Sequence, residues 1–141
     1  MKLSARNVFP GTVTKVTKGA VNSEVHLELK SGDKIVSIIT NGSADSLALK
    51  EGKSALAIVK ASWVILGNDL HSVKLSTRNI LCGTVAKVTK GAVNSEVSLK
   101  LAGGTILTAI ITNESVHSLV LKQGDHACVA IKASSVILGV E

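Results

Sequence analysis

The chain has 141 residues and a formal net charge of +6, with two cysteines, no tyrosine, and Phe9 and Trp63 as its aromatic residues. No apolar run approaches the ~18 residues that a membrane-spanning helix needs, and the N-terminus lacks the apolar core of a secretory signal. The positive charge favours an anionic partner, but single-stranded nucleic acids are bound by stacking on aromatic side chains, which are nearly absent here. We therefore expect a cytoplasmic protein without a membrane or nucleic-acid partner.

The chain repeats itself with an offset of 72 residues and no gap. Residues 3–67 and 75–139 are identical at 39 of 65 aligned positions, and residues 15–25 return unchanged as 87–97. A repeat of this kind predicts two copies of one folded unit, which we place at residues 2–68 and 74–140. A unit this small buries only ~60% of the surface that its unfolded chain exposes, so packing against neighbouring units should stabilise it.

Each copy has the pattern of five short strands and one helix. In the first copy we predict strands at residues 8–17, 25–29, 34–40, 54–61 and 64–66, and a helix at 43–50 capped by Ser43. In the second copy the strands are 80–89, 97–101, 105–112, 126–133 and 136–138, and the helix is 115–122, capped by Ser115. A helix between the third and fourth strands is typical of an OB-fold barrel. The predicted fold is all-β with short helices, in the form of two tandem OB-fold-like five-stranded β-barrels.

Catalytic and cation-binding constellations do not recur in the two copies. No histidine of one copy is matched in the other, and Glu24 with Glu96 is the only shared acidic pair. A nucleophile with its base, or a metal centre, needs more ligands than this. We therefore predict neither an enzyme nor a metal-cation site. Cys82 and Cys128 occur only in the second copy, so we expect free thiols in a reducing compartment rather than a disulfide framework.

The polar residues that both copies share are mainly hydrogen-bond donors. Serine and arginine in Ser-X-Arg, and lysine and serine in Lys-Ala-Ser, stand two residues apart, so on extended backbone each pair points to one side. The backbone N–H groups of the loop at residues 18–23, and of its copy at 90–95, could complete a nest around an anion. The alternative is that these are solvated charges at strand ends and an ordinary turn glycine.

These motifs also occur together in a known family. Residues 4–7 (Ser-Ala-Arg-Asn), 11–13 (Gly-Thr-Val), 18–25 and 60–62 (Lys-Ala-Ser), each with its second copy, resemble the signature of the Mop domain of the Mop/TOBE family. Mop domains are small OB-type molybdate-binding units, and a tandem pair is similar to the molbindins. The resemblance implies molybdate or tungstate held at interfaces between units, no organic cofactor, and a homotrimer of paired units. The implied role is molybdenum storage or homeostasis.

The resemblance also implies the residues that hold the oxyanion. The implied primary ligands are Ser4, Arg6, Lys60 and Ser62 and, in the second copy, Ser76, Arg78, Lys132 and Ser134. Possible backbone or loop contacts are Ala5, Asn7, Gly19, Ala20, Val21, Asn22 and Ser23 and, in the second copy, Thr77, Asn79, Gly91, Ala92, Val93, Asn94 and Ser95.

A pocket of donors is chemically suited to molybdate, because this dianion only accepts hydrogen bonds. Hydrogen phosphate carries a proton that such a pocket would leave without a partner, at ~1–3 kcal/mol. Sulfate has the same charge as molybdate, so its smaller size would have to exclude it. The alternatives are an OB-fold nucleic-acid-binding module and a purely structural assembly module.

Overall fold

The computed structural model describes residues 2–141. The first copy contains β1 (Asn7–Lys18), β2 (Asn22–Leu29), β3 (Lys34–Thr40), α1 (Asn41–Ser46), β4 (Ser54–Val59), a 3₁₀ turn (Ala61–Trp63) and β5 (Ile65–Gly67). A 3₁₀ turn in the linker (Leu70–Ser72) leads to the second copy: β6 (Asn79–Lys90), β7 (Asn94–Leu101), β8 (Ile106–Thr112), α2 (Asn113–Leu119), β9 (His126–Ile131), a 3₁₀ turn (Ala133–Ser135) and β10 (Ile137–Gly139). No helix in these residues has the length and apolar composition needed to cross a membrane.

The strands form two antiparallel five-stranded sheets, which confirms the all-β, OB-like fold class. Their strand orders are β10-β4-β1-β2-β3 and β5-β9-β6-β7-β8. Each sheet therefore takes its last strand from the other copy, whereas the sequence suggested that each copy completes its own barrel. Residues 64–67 and 136–139 are identical, so either segment fits either sheet edge, and tertiary packing decides between them.

The predicted strands are confirmed closely, but the helices are displaced. α1 and α2 begin two residues before the predicted starts, and the backbone N–H groups of Ser43 and Ser115 donate to the hydroxyls of Thr40 and Thr112 at 3.1 Å. Threonine is therefore the N-cap. Both helices end before the predicted lysines, just ahead of a residue with positive φ: Ala48 (49°) or Val120 (52°). Regular helix cannot continue through that conformation.

One apolar core runs through both copies. The alternation in β2 places Val25, Leu27 and Leu29 inside, at 0–4% exposure, and β7 repeats the pattern. Side chains from the two sheets belong to the same buried cluster. The small units thus stabilise each other by sharing apolar surface, which offsets the limited burial of a single unit.

Two buried asparagines connect the copies. The Asn79 amide donates to the carbonyl oxygen of Val36 and accepts from its N–H group, both at 2.7 Å. Asn7 makes the same two bonds to Thr108 at 2.8 Å. Asn7 and Asn79 are 0% and 2% exposed. Both were possible oxyanion contacts from the sequence, but their side chains are occupied by the backbone of the other copy.

Candidate functional site

Strand register brings the predicted arginines next to the predicted lysines. Asn79 is paired with Ile131 between β6 and β9, so Arg78 and Lys132 lie side by side where the two strands end. The pairing of Asn7 with Val59 does the same for Arg6 and Lys60 in the first copy. The register therefore places the predicted arginine and lysine at adjacent strand ends in both copies.

The second set of predicted ligands lines one cavity of about 450 Å³. Its walls are formed by Ile38, Ile65, Leu70, Leu75, Ser76, Thr77, Arg78, Ala130, Lys132, Ala133 and Ser134. All four implied primary ligands of this copy are among them. Ile38 and Ile65 come from β3 and β5 of the first copy, so the site is built jointly by both copies.

The Lys-Ala-Ser segments differ from the extended conformation that the sequence suggested. The N–H group of Ser135 donates to the carbonyl oxygen of Lys132 at 2.8 Å, which closes the 3₁₀ turn Ala133–Ser135. Lys132 therefore precedes the turn and Ser134 lies within it. Both residues line the same cavity, but on a backbone turn. The prediction that Lys-Ala-Ser is extended was therefore wrong.

Each predicted arginine also binds a glutamate of the other copy. Arg78 Nη1 and Nη2 donate to the two carboxylate oxygens of Glu24 at 2.9 Å, and Arg6 Nη1 lies 2.6 Å from Glu96 Oε2. The expectation of a pocket with donors alone thus needs correction, because a carboxylate adjoins each arginine. A guanidinium has five N–H donors, so three of those on Arg78 remain for another acceptor. The sequence could have indicated this role, because Glu24 and Glu96 are the only acidic pair that the two copies share.

Glu24 has a second partner that its counterpart lacks. His26 Nε2 lies 2.6 Å from Glu24 Oε1, whereas the second copy has Ser98 at the position of His26. The hydrogen bond from His26 and then those from Arg78 lower the pKa of Glu24 below its ordinary value. The stability that Glu24 contributes is therefore present above pH 4.5, its ordinary pKa, and is lost as the pH falls through the lowered pKa.

We expect the His26→Ala variant to raise the pKa of Glu24 towards its ordinary value, because the hydrogen bond from His26 is the largest cause of the shift. The measurement is the chemical shift of the Glu24 carboxyl carbon followed by NMR from pH 7 to pH 2. His117→Ala is the control, since His117 lies on α2 away from Glu24. A Glu24 titration curve that is the same in both variants would contradict the assignment.

An asparagine of the adjoining helix holds each shared loop. Asn41 Nδ2 donates to the Gly19 carbonyl oxygen at 2.9 Å, and Ser23 Oγ donates to Asn41 Oδ1 at 2.6 Å. The Gly19 N–H donates to the carbonyl oxygen of Asn22 at 2.8 Å. Asn113, Ser95 and Gly91 make the same bonds in the second copy. The Ser23 and Ser95 hydroxyls and the Gly19 and Gly91 N–H groups therefore serve the loop itself, and Ala20 and Val21 form its exposed tip.

Gly91 is required by this loop, because a Cβ there would lie 2.7 Å from the carbonyl oxygen of Asn94. We expect Gly91→Ala to destabilise the fold by about 1–3 kcal/mol, the usual cost of inserted atoms in a packed site. Gly42→Ala is the matched control, since the nearest atom there is 3.9 Å away. Urea unfolding of both variants measures the difference, and equal midpoints would argue against a constrained loop.

Lys60 and Thr77 have further contacts of their own. Lys60 Nζ lies 5.8 Å from the centroid of the Trp63 ring, within the range of a cation–π interaction. The second copy has Ser135 at the position of Trp63, so the tryptophan is specific to the first-copy site. The Thr77 hydroxyl donates to the carbonyl oxygen of Ile131 at 2.6 Å.

The cysteines are not free thiols as the sequence suggested. Cys82 and Cys128 form a disulfide between directly opposed positions of β6 and β9. The two cysteines are 46 positions apart in the chain, so the sequence did not indicate that they would be paired. His71 Nε2 lies 3.2 Å from Cys82 Sγ. The structure thus brings together cysteine and histidine side chains that are far apart in the sequence.

Comparison with known proteins identifies the family. The chain is 53% identical to the cytoplasmic molybdate-binding protein ModG, whose crystal structure has molybdate bound; each chain is covered completely, and the TM-score is 0.96. It is 44% identical over 140 residues to the molybdenum transport protein ModE of Azotobacter vinelandii and 42% identical over 138 residues to the molybdenum-pterin-binding protein MopA of Rhodobacter capsulatus. Those alignments cover 99% and 98% of this chain but 52% of each relative, so the chain spans about half the length of the curated relatives it matches. The TOBE domain model matches residues 3–66 and 75–138, and the chain therefore belongs to the TOBE domain family, with two domains in tandem.

Proposed function

We propose that this protein binds molybdate, and also tungstate, in the cytoplasm and serves molybdenum storage or homeostasis as a binding protein rather than an enzyme. The observation that carries the proposal is the likeness over the full length of both chains to the molybdate-bound ModG structure. The cavity that contains Ser76, Arg78, Lys132 and Ser134 is the place we assign to the oxyanion. Because the chain repeats, we assign Ser4, Arg6, Lys60 and Ser62 to a corresponding site in the first copy.

The chemistry of this cavity supports the proposal. Arg78 keeps three N–H donors beyond those that Glu24 accepts, and Lys132 adds an ammonium group beside it. Charge-assisted hydrogen bonds are roughly twice as strong as neutral ones. The two hydroxyls complete a set of donors suited to an ion that cannot donate. Glu24 would repel a bound dianion, but its ion pair with Arg78 leaves the two charges nearly balanced. Lys132 then makes the net charge of the site positive.

We further propose a homotrimer of the tandem units with oxyanions at the interfaces. Trp63, Ile65, Ile137, Leu3 and Leu75 are large apolar side chains that are exposed in the single chain. Leu75 and Ile65 line the cavity itself, so a neighbouring subunit that covers them would also close the site. Exposed apolar patches next to polar groups are typical of interaction surfaces.

The proposed function is tested by thermal unfolding in the presence of oxyanions. We expect the melting temperature to rise with molybdate and tungstate and much less with equal concentrations of sulfate or phosphate. One site contributes ~2.7 kcal/mol at a hundredfold excess over Kd. Emission from Trp63, the only tryptophan, should change in parallel because Lys60 lies beside it. A melting temperature that is indifferent to millimolar molybdate would refute oxyanion binding and favour a purely structural module.

The trimer is tested separately by sedimentation equilibrium with and without molybdate. We expect a mass of about three chains at micromolar concentration, because the large apolar side chains that the single chain exposes would be covered in the assembly. A stable monomer would contradict the proposed interfaces while leaving oxyanion binding within the chain to be judged by the melting experiment. Single-stranded DNA in the same buffer serves as the control ligand, for which we expect no shift.

A further inference from the structure

Both cysteines of the chain and two of its four histidines lie at one place outside the proposed oxyanion cavity. Cys82 Sγ is 3.2 Å from His71 Nε2, and Cys128 Sγ is 3.8 Å from His126 Nε2. The ligand atoms of His71, Cys82 and Cys128 all lie within 4.8 Å of one another. Cys128 is fully buried, Cys82 is half-buried, and both histidines are exposed.

The backbone explains why these four side chains meet. His126 and Cys128 are two residues apart on β9, and therefore share one face of the strand. Cys128 on β9 has Cys82 of β6 directly opposite on one side and Gly67 of β5 directly opposite on the other. Because Gly67 has no side chain, Leu70 packs directly against it. The linker turn that carries His71 is thereby held over the cysteine pair.

The cluster is a property of the second copy and the linker alone. Pro10, Leu56 and Ser54 stand at the positions of Cys82, Cys128 and His126 in the first copy. Pro10 and Leu56 are opposed in the same register as the two cysteines. The repeated fold thus needs no cysteine or histidine here, and these ligand-type residues occur only in the second copy and the linker.

Two sulfur and two imidazole nitrogen ligands suit Zn²⁺, which is tetrahedral in Cys₂His₂ sites. Zinc bond lengths of about 2.3 Å to sulfur and about 2.0 Å to nitrogen place ligand atoms roughly 3.5–3.8 Å apart. The two sulfur–nitrogen distances given above are already close to this. Two changes remain. The sulfur atoms must separate, which cleavage of the disulfide allows, and the exposed His126 side chain must turn towards His71 and Cys82, because it is not among the residues whose ligand atoms lie within 4.8 Å of one another. Two thiolates also neutralise the ion, which lowers the cost of placing it in a half-buried site.

We propose that His71, Cys82, His126 and Cys128 bind one Zn²⁺ ion when the cysteine pair is reduced, and that the disulfide excludes the ion. A dithiol reductant supplies two electrons and two protons, the Sγ–Sγ bond breaks, two cysteine thiols form, and the reductant becomes its own disulfide. Zn²⁺ then replaces the two thiol protons, which are released to water. Zinc occupancy thereby depends on the redox state of this pair.

The test uses Co²⁺ as a spectroscopic probe on the full chain, in reduced and oxidised form. We expect the reduced protein to bind one Co²⁺ per chain with a thiolate-to-cobalt charge-transfer band and the strong visible absorption of tetrahedral cobalt. Zn²⁺ should displace the Co²⁺. The oxidised protein should show neither signal, and proton release measured in weak buffer should be two per ion.

Variants assign the ligands. Cys82→Ser removes one of the two thiolates, so it should weaken Co²⁺ binding and reduce the charge-transfer band. This residue is chosen because the buried Cys128 is riskier for folding. His71→Ala and His126→Ala should each weaken Co²⁺ binding by more than the ten- to hundredfold typical of an outer-sphere change. His117→Ala, on α2, is the matched control and should bind normally.

Thermal stabilisation by molybdate should be the same in Cys82→Ser as in the parent, so the two proposals succeed or fail independently. Equal cobalt binding by oxidised and reduced protein, binding without a charge-transfer band, or unchanged binding in either histidine variant would overturn the four-ligand site.

Discussion

The Arg6→Ala/Arg78→Ala double variant should lose most of its affinity for molybdate and most of the stabilisation that molybdate provides. A hydrogen bond to a charged group contributes ~1.5–3 kcal/mol, so affinity per site should fall by about ten- to more than a hundredfold. Isothermal titration and thermal unfolding measure the two effects. Each arginine also pairs with a glutamate of the other copy, so the loss of that ion pair must be separated from the loss of the anion contact.

Glu24→Gln/Glu96→Gln provides that separation. This variant breaks the same two ion pairs but leaves both arginines in place. We expect it to bind molybdate as tightly as the parent or more tightly, because a negative charge next to each arginine is removed. A double glutamine variant that loses as much affinity as the double alanine variant would mean that the ion pairs position the site and that the arginines are not oxyanion ligands.

Asn79→Ala should be among the most destabilising single substitutions in the chain. It leaves the N–H and carbonyl groups of Val36 without the partners they have at 2.7 Å. An unpaired buried polar group costs ~1–3 kcal/mol, so we expect about 2–5 kcal/mol lower stability in urea unfolding at fixed protein concentration. Asn7→Ala should behave alike, because its bonds to Thr108 are equivalent.

Asn68→Ala is the matched control for both substitutions. Asn68 is exposed, and its amide donates to Leu119 at 3.3 Å, a long hydrogen bond. We expect a change within ~0.5 kcal/mol, as for most surface positions. Asn79→Asp places a carboxylate against the carbonyl oxygen of Val36 in a buried site, so its stability should fall at least as far as that of the alanine variant. Equal stability of Asn68→Ala and Asn79→Ala would show that the asparagine is not a connection between the copies.

The proposed zinc site and the proposed oxyanion site have different origins in the chain. The oxyanion residues recur in both copies, whereas the cysteines and their histidines belong to the second copy and the linker. In a reducing compartment thiols persist, so the cytoplasmic location that we propose would keep the Cys82–Cys128 pair in its metal-binding form. A comparison of the two copies therefore identifies the oxyanion residues, because they recur, and misses the zinc ligands, because they do not.

The sequence by itself determined the repeat, the five strands of each copy and the buried face of β2. These features depend on local periodicity and on residue type, since alternation alone decides which side of a strand faces the core. The predicted helix starts were wrong by two residues, because threonine is also an acceptable N-cap and Thr40, three residues before Ser43, has that role in the structure.

Only the tertiary structure decided the exchange of β5 and β10, the pairing of Arg78 with Glu24, and the meeting of Cys82 with Cys128 and His71. The physical reason is that all three depend on which copy a segment packs against. Because the final strands of the two copies have the same sequence, no local preference distinguishes their two possible partners. The shared core and the asparagine hydrogen bonds between the copies make that choice, and the choice places side chains distant in sequence in one cavity or one cluster.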